Sequence, residues 1–152
     1  MMLARNPVIP GFHPDPSVCR VGDEYFLVTS SFTYFPGVPI FRSRNLVDWV
    51  QVGNVLDRMS QLELSASSWM SRGVCAPTIR YHDERFWMIT TVTGGERANN
   101  FYVTADAADG PWSDPIQVDI SGIDPDKTIS AVLAPARTAV VISDAWAYSV
   151  RS

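Results

Sequence analysis

The chain has 152 residues, enough for one domain with a buried core. Hydrophobic residues make up 46% and charged residues 18%, with 5 Trp, 7 Phe and 5 Tyr, which excludes a disordered or fibrous chain. A net charge of −4 without any Lys/Arg cluster excludes an electrostatic platform for nucleic acid.

In chain order, residues 1–12 hold no apolar stretch long enough for a signal peptide, and Pro7 and Pro10 interrupt them. Apolar runs elsewhere are strand-sized, so no membrane span is expected and cytoplasmic residence is the default. Segments rich in β-branched and aromatic residues follow at 18–21, 25–30 and 40–43, then at 78–81, 86–91 and 101–104. Gly22-Asp23 and His82-Asp83-Glu84-Arg85 sit between strand pairs as hairpin connections. No stretch sustains a 3.6-residue apolar period, so the chain reads as all-β. Cys19 and Cys75 are too few for a disulfide framework and read as free thiols. The only histidines, His13 and His82, offer no zinc spacing; neither a metal nor a cofactor is expected.

The chain also resembles itself. Pro16-Ser17-Val18 and the strand from Tyr25 to Ser30 are echoed by Pro77-Thr78-Ile79 and the strand from Phe86 to Thr91, each pair 61 positions apart. The same offset carries Ile40-Phe41 onto Phe101-Tyr102 and Ser43 onto Thr104. Each unit closes with a Trp, Trp49 and Trp112, whose equivalent places argue for packing. Two units of about four strands predict propeller blades, lengthened beyond the usual period of ~40–50 residues. A third unit begins at Ile123-Asp124-Pro125, after which Ala and Ser replace the aromatic strands. The expected division is therefore a partial propeller over 1–125 and an aberrant tail over 126–152. Two blades and a start leave strand edges uncovered, a liability for aggregation.

The run Asn6-Pro7-Val8-Ile9-Pro10-Gly11-Phe12-His13-Pro14-Asp15-Pro16-Ser17-Val18 resembles the opening of family 43 glycoside hydrolases, the β-xylosidases and α-L-arabinofuranosidases. Ser31-Phe32-Thr33-Tyr34-Phe35-Pro36-Gly37-Val38, Ala76-Pro77-Thr78-Ile79-Arg80-Tyr81 and Gly110-Pro111-Trp112-Ser113 match the same family in the same order. The resemblance implies a five-bladed β-propeller with its active site at one end of the central channel. It implies inversion by two carboxylates, ~6.5–9.5 Å apart in enzymes of this kind.

By that resemblance Asp15 is the general base. Taken alone, Pro14-Asp15-Pro16 reads equally as a turn, but flanking prolines would hold the backbone extended and rigid before the first inner strand. Asp124 matches the third carboxylate, which tunes the pKa of the acid; an Asp-Pro turn is the other reading. Phe32 matches an aromatic side chain of the sugar pocket, against the alternative of a core Phe in a blade loop. His13 either donates to Asp15 from behind or is a surface His beside a turn. Cys75 stands where many members carry Trp or Tyr, which would widen the pocket. The family's general acid is a Glu about a blade beyond the third carboxylate, and no Glu follows Asp124.

The expected function is therefore hydrolysis of terminal β-xylosyl or α-L-arabinofuranosyl linkages in xylan-derived oligosaccharides by inversion. This chain would be the front section of such an enzyme, inactive alone for want of the acid. The alternative is a non-catalytic sugar-binding remnant or an unstable truncated product. The expected partner is a xylo- or arabino-oligosaccharide, with neither nucleic acid nor membrane.

Overall fold

The structure is a computed structural model that describes residues 5–62, 72–94, 99–118, 122–128 and 139–142. Among the described residues ten strands follow one another: β1 (Ser17–Val21), β2 (Glu24–Val28), β3 (Gly37–Ser43), β4 (Val50–Leu56), β5 (Gly73–His82), β6 (Arg85–Thr93), β7 (Asn99–Ala105), β8 (Ile116–Val118), β9 (Pro125–Thr128) and β10 (Ala139–Ile142). A single 3₁₀ turn, Met59–Gln61, is the only helical element among the described residues. No helix among them is long and apolar enough to cross a membrane.

The strands form two four-stranded antiparallel meanders, β1-β2-β3-β4 and β5-β6-β7-β8, and a two-stranded sheet, β9-β10. β1 lies against β5, and β5 against β9, so the first strand of each sheet faces the first strand of the next. This is the all-β, blade-after-blade arrangement that the repeat predicts. The boundary expected at 125 falls on the first residue of β9, whose ladder with β10 runs from Pro125↔Ile142 to Thr128↔Ala139.

Turn chemistry sets the first hairpin of each sheet. Asp83 and Glu84 both adopt positive φ, 52° and 57°, the signs of a type I′ turn that matches the twist of its strands. In the β1-β2 hairpin Gly22 takes the positive φ of 58° at the first central position.

The 61-residue offset holds for the first hairpins, where Val18 faces Leu27 and Ile79 faces Met88. The third strands break it: Leu27 faces Phe41, but Met88 faces Val103, 62 positions on. The equivalence expected between Ile40-Phe41 and Phe101-Tyr102, and between Ser43 and Thr104, is therefore corrected by one residue. Burial explains the shift. Ser43 must match the small, buried Ala105 at the strand end, not the half-buried Thr104.

The core lies between the two meanders. Phe26 of β2 and Phe86 of β6 meet edge to face at 5.0 Å, and Val28, Ile40, Ile79 and Met88 around them are fully buried. At about 25 cal/mol per Å² of apolar surface removed from water, such contacts dominate the stability of the pair. β6 is buried without interruption from Met88 to Thr91, and β9 lies in contact with it. Trp112 is 3% exposed and packs toward Phe86, with its indole Nε1–H donated to the Ala108 carbonyl at 3.3 Å. Trp49 is half-buried and donates in the same manner to the Leu46 carbonyl. The Trp112 ring thus serves packing, as expected of it.

Candidate active site

Three peptides are built alike at the three sheet starts. Asp15, Ala76 and Asp124 each precede a proline, and each has positive φ: 53°, 44° and 59°. The extended backbone expected at Asp15 is thus replaced by a left-handed one. Proline disfavours the right-handed helical region for the residue before it, and Asp tolerates the left-handed one better than most residues. In β5 the device appears as an irregularity in the ladder with β6 between Cys75 and Thr78. The result is one open cleft of about 270 Å³, lined by Asp15, Pro16 and Ser17, then Ala76, Pro77 and Thr78, then Asp124 and Pro125.

Hydroxyls stitch these starts together. Ser17 Oγ accepts the Ile79 backbone N–H at 3.2 Å, and Thr78, its equivalent one sheet on, donates its hydroxyl to the Pro125 carbonyl at 2.8 Å. Each inner strand therefore holds the next. Asp15 and Asp124 therefore sit on starts that short hydroxyl-to-backbone bonds hold in sequence.

Asp15 is exposed to the cleft yet anchored. Ser30, only 3% exposed, donates its hydroxyl to Asp15 Oδ2 at 2.6 Å. The same Ser30 Oγ accepts the Ala76 backbone N–H at 2.7 Å. Ser30 N–H in turn bonds the Pro14 carbonyl at 3.0 Å. A charge-assisted bond of this length restrains the carboxylate far more firmly than solvent does.

The remaining expected residues divide. Asp124 is exposed and lines the same cleft as Asp15. Cys75 is half-buried, with Sγ 3.4 Å from the Gly73 carbonyl and 3.6 Å from Thr93 Oγ1. Burial pushes its thiol up; the Thr93 contact acts the other way, while the carboxylates of Asp15 and Asp124 both add to the rise. The thiol therefore feels both acids of the cleft. Phe32 exchanges both backbone bonds with Val74, at 2.9 and 3.0 Å, and its ring stands 5.9 Å from that of Phe12. It ties the first sheet to the second, and its ring pairs with that of Phe12. His13 packs edge-on against Phe41 at 5.1 Å, and its Nδ1 has no hydrogen-bond partner among the described residues. The donor to Asp15 is Ser30, not His13.

Sequence reasoning did not single out Ser30, Ala76 or Phe12. For Ser30 a signal existed: three hydroxyl residues in a row, Thr29-Ser30-Ser31, at the end of an apolar strand. Ala76 stands at the place in the second unit where the first and third carry Asp.

The chain is similar in sequence and in fold to known proteins. The model of a family described as "Glycosyl hydrolases family 43" matches residues 4–131. A "Xylosidase/arabinosidase" of Butyrivibrio fibrisolvens is 53% identical over 129 residues, which is 82% of this chain and 24% of that protein. A non-reducing end alpha-L-arabinofuranosidase of Bacteroides ovatus is 48% identical over 122 residues, 80% of this chain and 23% of that one. The crystal structure of a xylan beta-1,4-xylosidase from Bacillus halodurans superposes with a TM-score of 0.80 at 44% identity, covering 85% of this chain and 26% of that one. The chain thus spans about a quarter of the length of the relatives it matches.

Proposed function

The chain belongs to glycosyl hydrolase family 43, and from that premise we propose that it carries the base-bearing part of an inverting glycosidase. Its substrates are terminal β-xylosyl or α-L-arabinofuranosyl residues of xylan-derived oligosaccharides, a reading supported by relatives named as an alpha-L-arabinofuranosidase, a beta-xylosidase and a xylan 1,3-beta-xylosidase. The observation that carries this reading is the Asp15 carboxylate, open to the cleft on one side and anchored by Ser30 on the other. A base with this exposure and restraint takes a proton from a water aimed at the anomeric carbon. Asp124, on the same cleft, is the carboxylate that would keep a facing acid protonated, since a nearby negative charge opposes ionisation. Residues 125–152 contain no Glu, so they do not supply an acid of the family's type, a role worth ~10²–10⁴-fold. The reading carries with it a reducing, cytoplasmic setting, supported by the unpaired Cys19 and Cys75.

A graft tests it: residues 5–128 replace the matching segment of the Butyrivibrio relative. The grafted enzyme is expected to hydrolyse an aryl xyloside or arabinofuranoside, and Asp15→Ala to lower turnover by roughly 10²–10⁴-fold. Turnover that survives Asp15→Ala would refute the assignment. NMR of the first-formed product should show the inverted anomer.

A second reading is sugar binding without hydrolysis, which the open cleft between Asp15 and Asp124 would also serve. Saturable perturbation of Asp15 and Ser17 resonances by xylobiose, with no product formed, would select it.

A further inference from the structure

We infer that Ser30 is the positioning residue of Asp15, and that it leaves the other oxygen, Oδ1, as the one that takes the proton from water. The inference rests on the reading of Asp15 as the base and adds to it which oxygen acts and what aims it.

Ser30 grips the Asp15 peptide at two points. Its N–H holds the Pro14 carbonyl at 3.0 Å, just ahead of Asp15, and its hydroxyl holds Oδ2 at 2.6 Å. A hydroxyl has one proton to give and can receive others. The Ala76 N–H, arriving at 2.7 Å, occupies the Ser30 oxygen as acceptor, so the Ser30 proton has one acceptor to serve, Oδ2. The direction of the chain is fixed: Ala76 N–H to Ser30 Oγ, Ser30 O–H to Asp15 Oδ2. Ser30 is buried, so water does not compete for these bonds. Asp15 itself is exposed, and Oδ1 has no donor among the described residues. One carboxylate oxygen is thus the anchor and the other is the working atom.

The second partner comes from the neighbouring sheet. Ala76 belongs to β5 and is the left-handed residue at the second start, equivalent to Asp15 at the first. The aim of the base therefore depends on the seating of one sheet on the next. A left-handed non-glycine residue persists where its surroundings over-determine it, and the two-point grip supplies that restraint at Asp15.

The test has two parts. In the 152-residue chain, Ser30→Ala is expected to move the Asp15 carboxyl ¹³C resonance and to speed exchange of the Ala76 amide by about tenfold or more. Ser30→Thr, which keeps the hydroxyl, should restore both. In the Butyrivibrio graft, Ser30→Ala should lower kcat by about 10–100-fold, the worth of a hydrogen bond to a charged group, with KM within about twofold. Ser30→Thr should recover most of kcat. An unmoved Asp15 resonance, or a kcat unaltered by Ser30→Ala while Asp15→Ala abolishes turnover, overturns the inference and leaves the base assignment standing. Turnover indifferent to Asp15→Ala overturns both.

Discussion

A residue in the left-handed region costs roughly 1–3 kcal/mol unless it is glycine, so each such position asks what holds it there. Gly73 answers by being glycine. Its φ is 111°, and a Cβ built on it would stand 2.2 Å from the Phe32 carbonyl oxygen, the same oxygen that accepts the Val74 N–H. Gly73→Ala is therefore expected to break the Phe32–Val74 bridge and to cost at least ~2 kcal/mol, measured as a lowered midpoint in urea. Cys19 gives a second prediction at this scale. Burial raises its thiol from 9.0 to about 11, against the opposing pull of Arg80. The unfolded chain loses that proton near pH 9 while the folded chain keeps it to about 11, so the unfolded state binds fewer protons in that window. Stability should fall between those values, and Cys19→Ala should flatten the fall in thermal melts taken from pH 8 to 11. Asp15 stands out in the sequence through its motif, whereas Ser30 offers only its place in a run of three hydroxyl residues. A serine at the end of a strand has no periodicity to betray it; its role comes from Ala76, 46 positions away, which only the stacked sheets bring near.

At the scale of elements, the first hairpins were legible because local chemistry decides them. Their turns and apolar strands are contiguous in sequence. β7 was placed one residue out because its register is set by which small residue fits under the sheet end, a tertiary matter. β4 and β8 were expected only as the fourth members of a repeat. Val50 and Gln51 of β4 are exposed and β8 has three residues, so neither announces itself by pattern. The β5-β6 turn allows an engineering check. Glu84 has φ of 57°, a conformation glycine adopts without penalty. Glu84→Gly should stabilise the chain by ~1 kcal/mol, raising Tm by about 2–4 °C in calorimetry, since the type I′ geometry itself is kept.

At the scale of the whole chain, the two meanders are joined by more than apolar contact. Gln61, 4% exposed, accepts the Asp57 and Arg58 N–H groups at 3.1 Å and donates to the Ser113 carbonyl at 2.9 Å. Arg58 reaches the Trp112 carbonyl and the Asp114 carboxylate, both at 3.0 Å. On the cleft side Phe32 pairs with Val74, and Ser30 with Ala76. Between these two seams sits Phe86, which touches Phe26 of the first sheet and both Tyr81 and Trp112 of its own. Neither sheet can lose its partner without exposing that ring and the aliphatic residues behind it. Unfolding should accordingly be one transition for both sheets, followed residue by residue through the amides of Val28 and Met88 in rising urea. Phe86→Ala removes the shared ring, at a cost of about 3–5 kcal/mol. If the seam polar groups merely decorate two independent sheets, the Val28 amide will keep its midpoint in that variant while Met88 loses its own. If the sheets are one cooperative unit, as the shared core requires, both midpoints will fall together and by the same amount, and the aim of Asp15 will be lost with them.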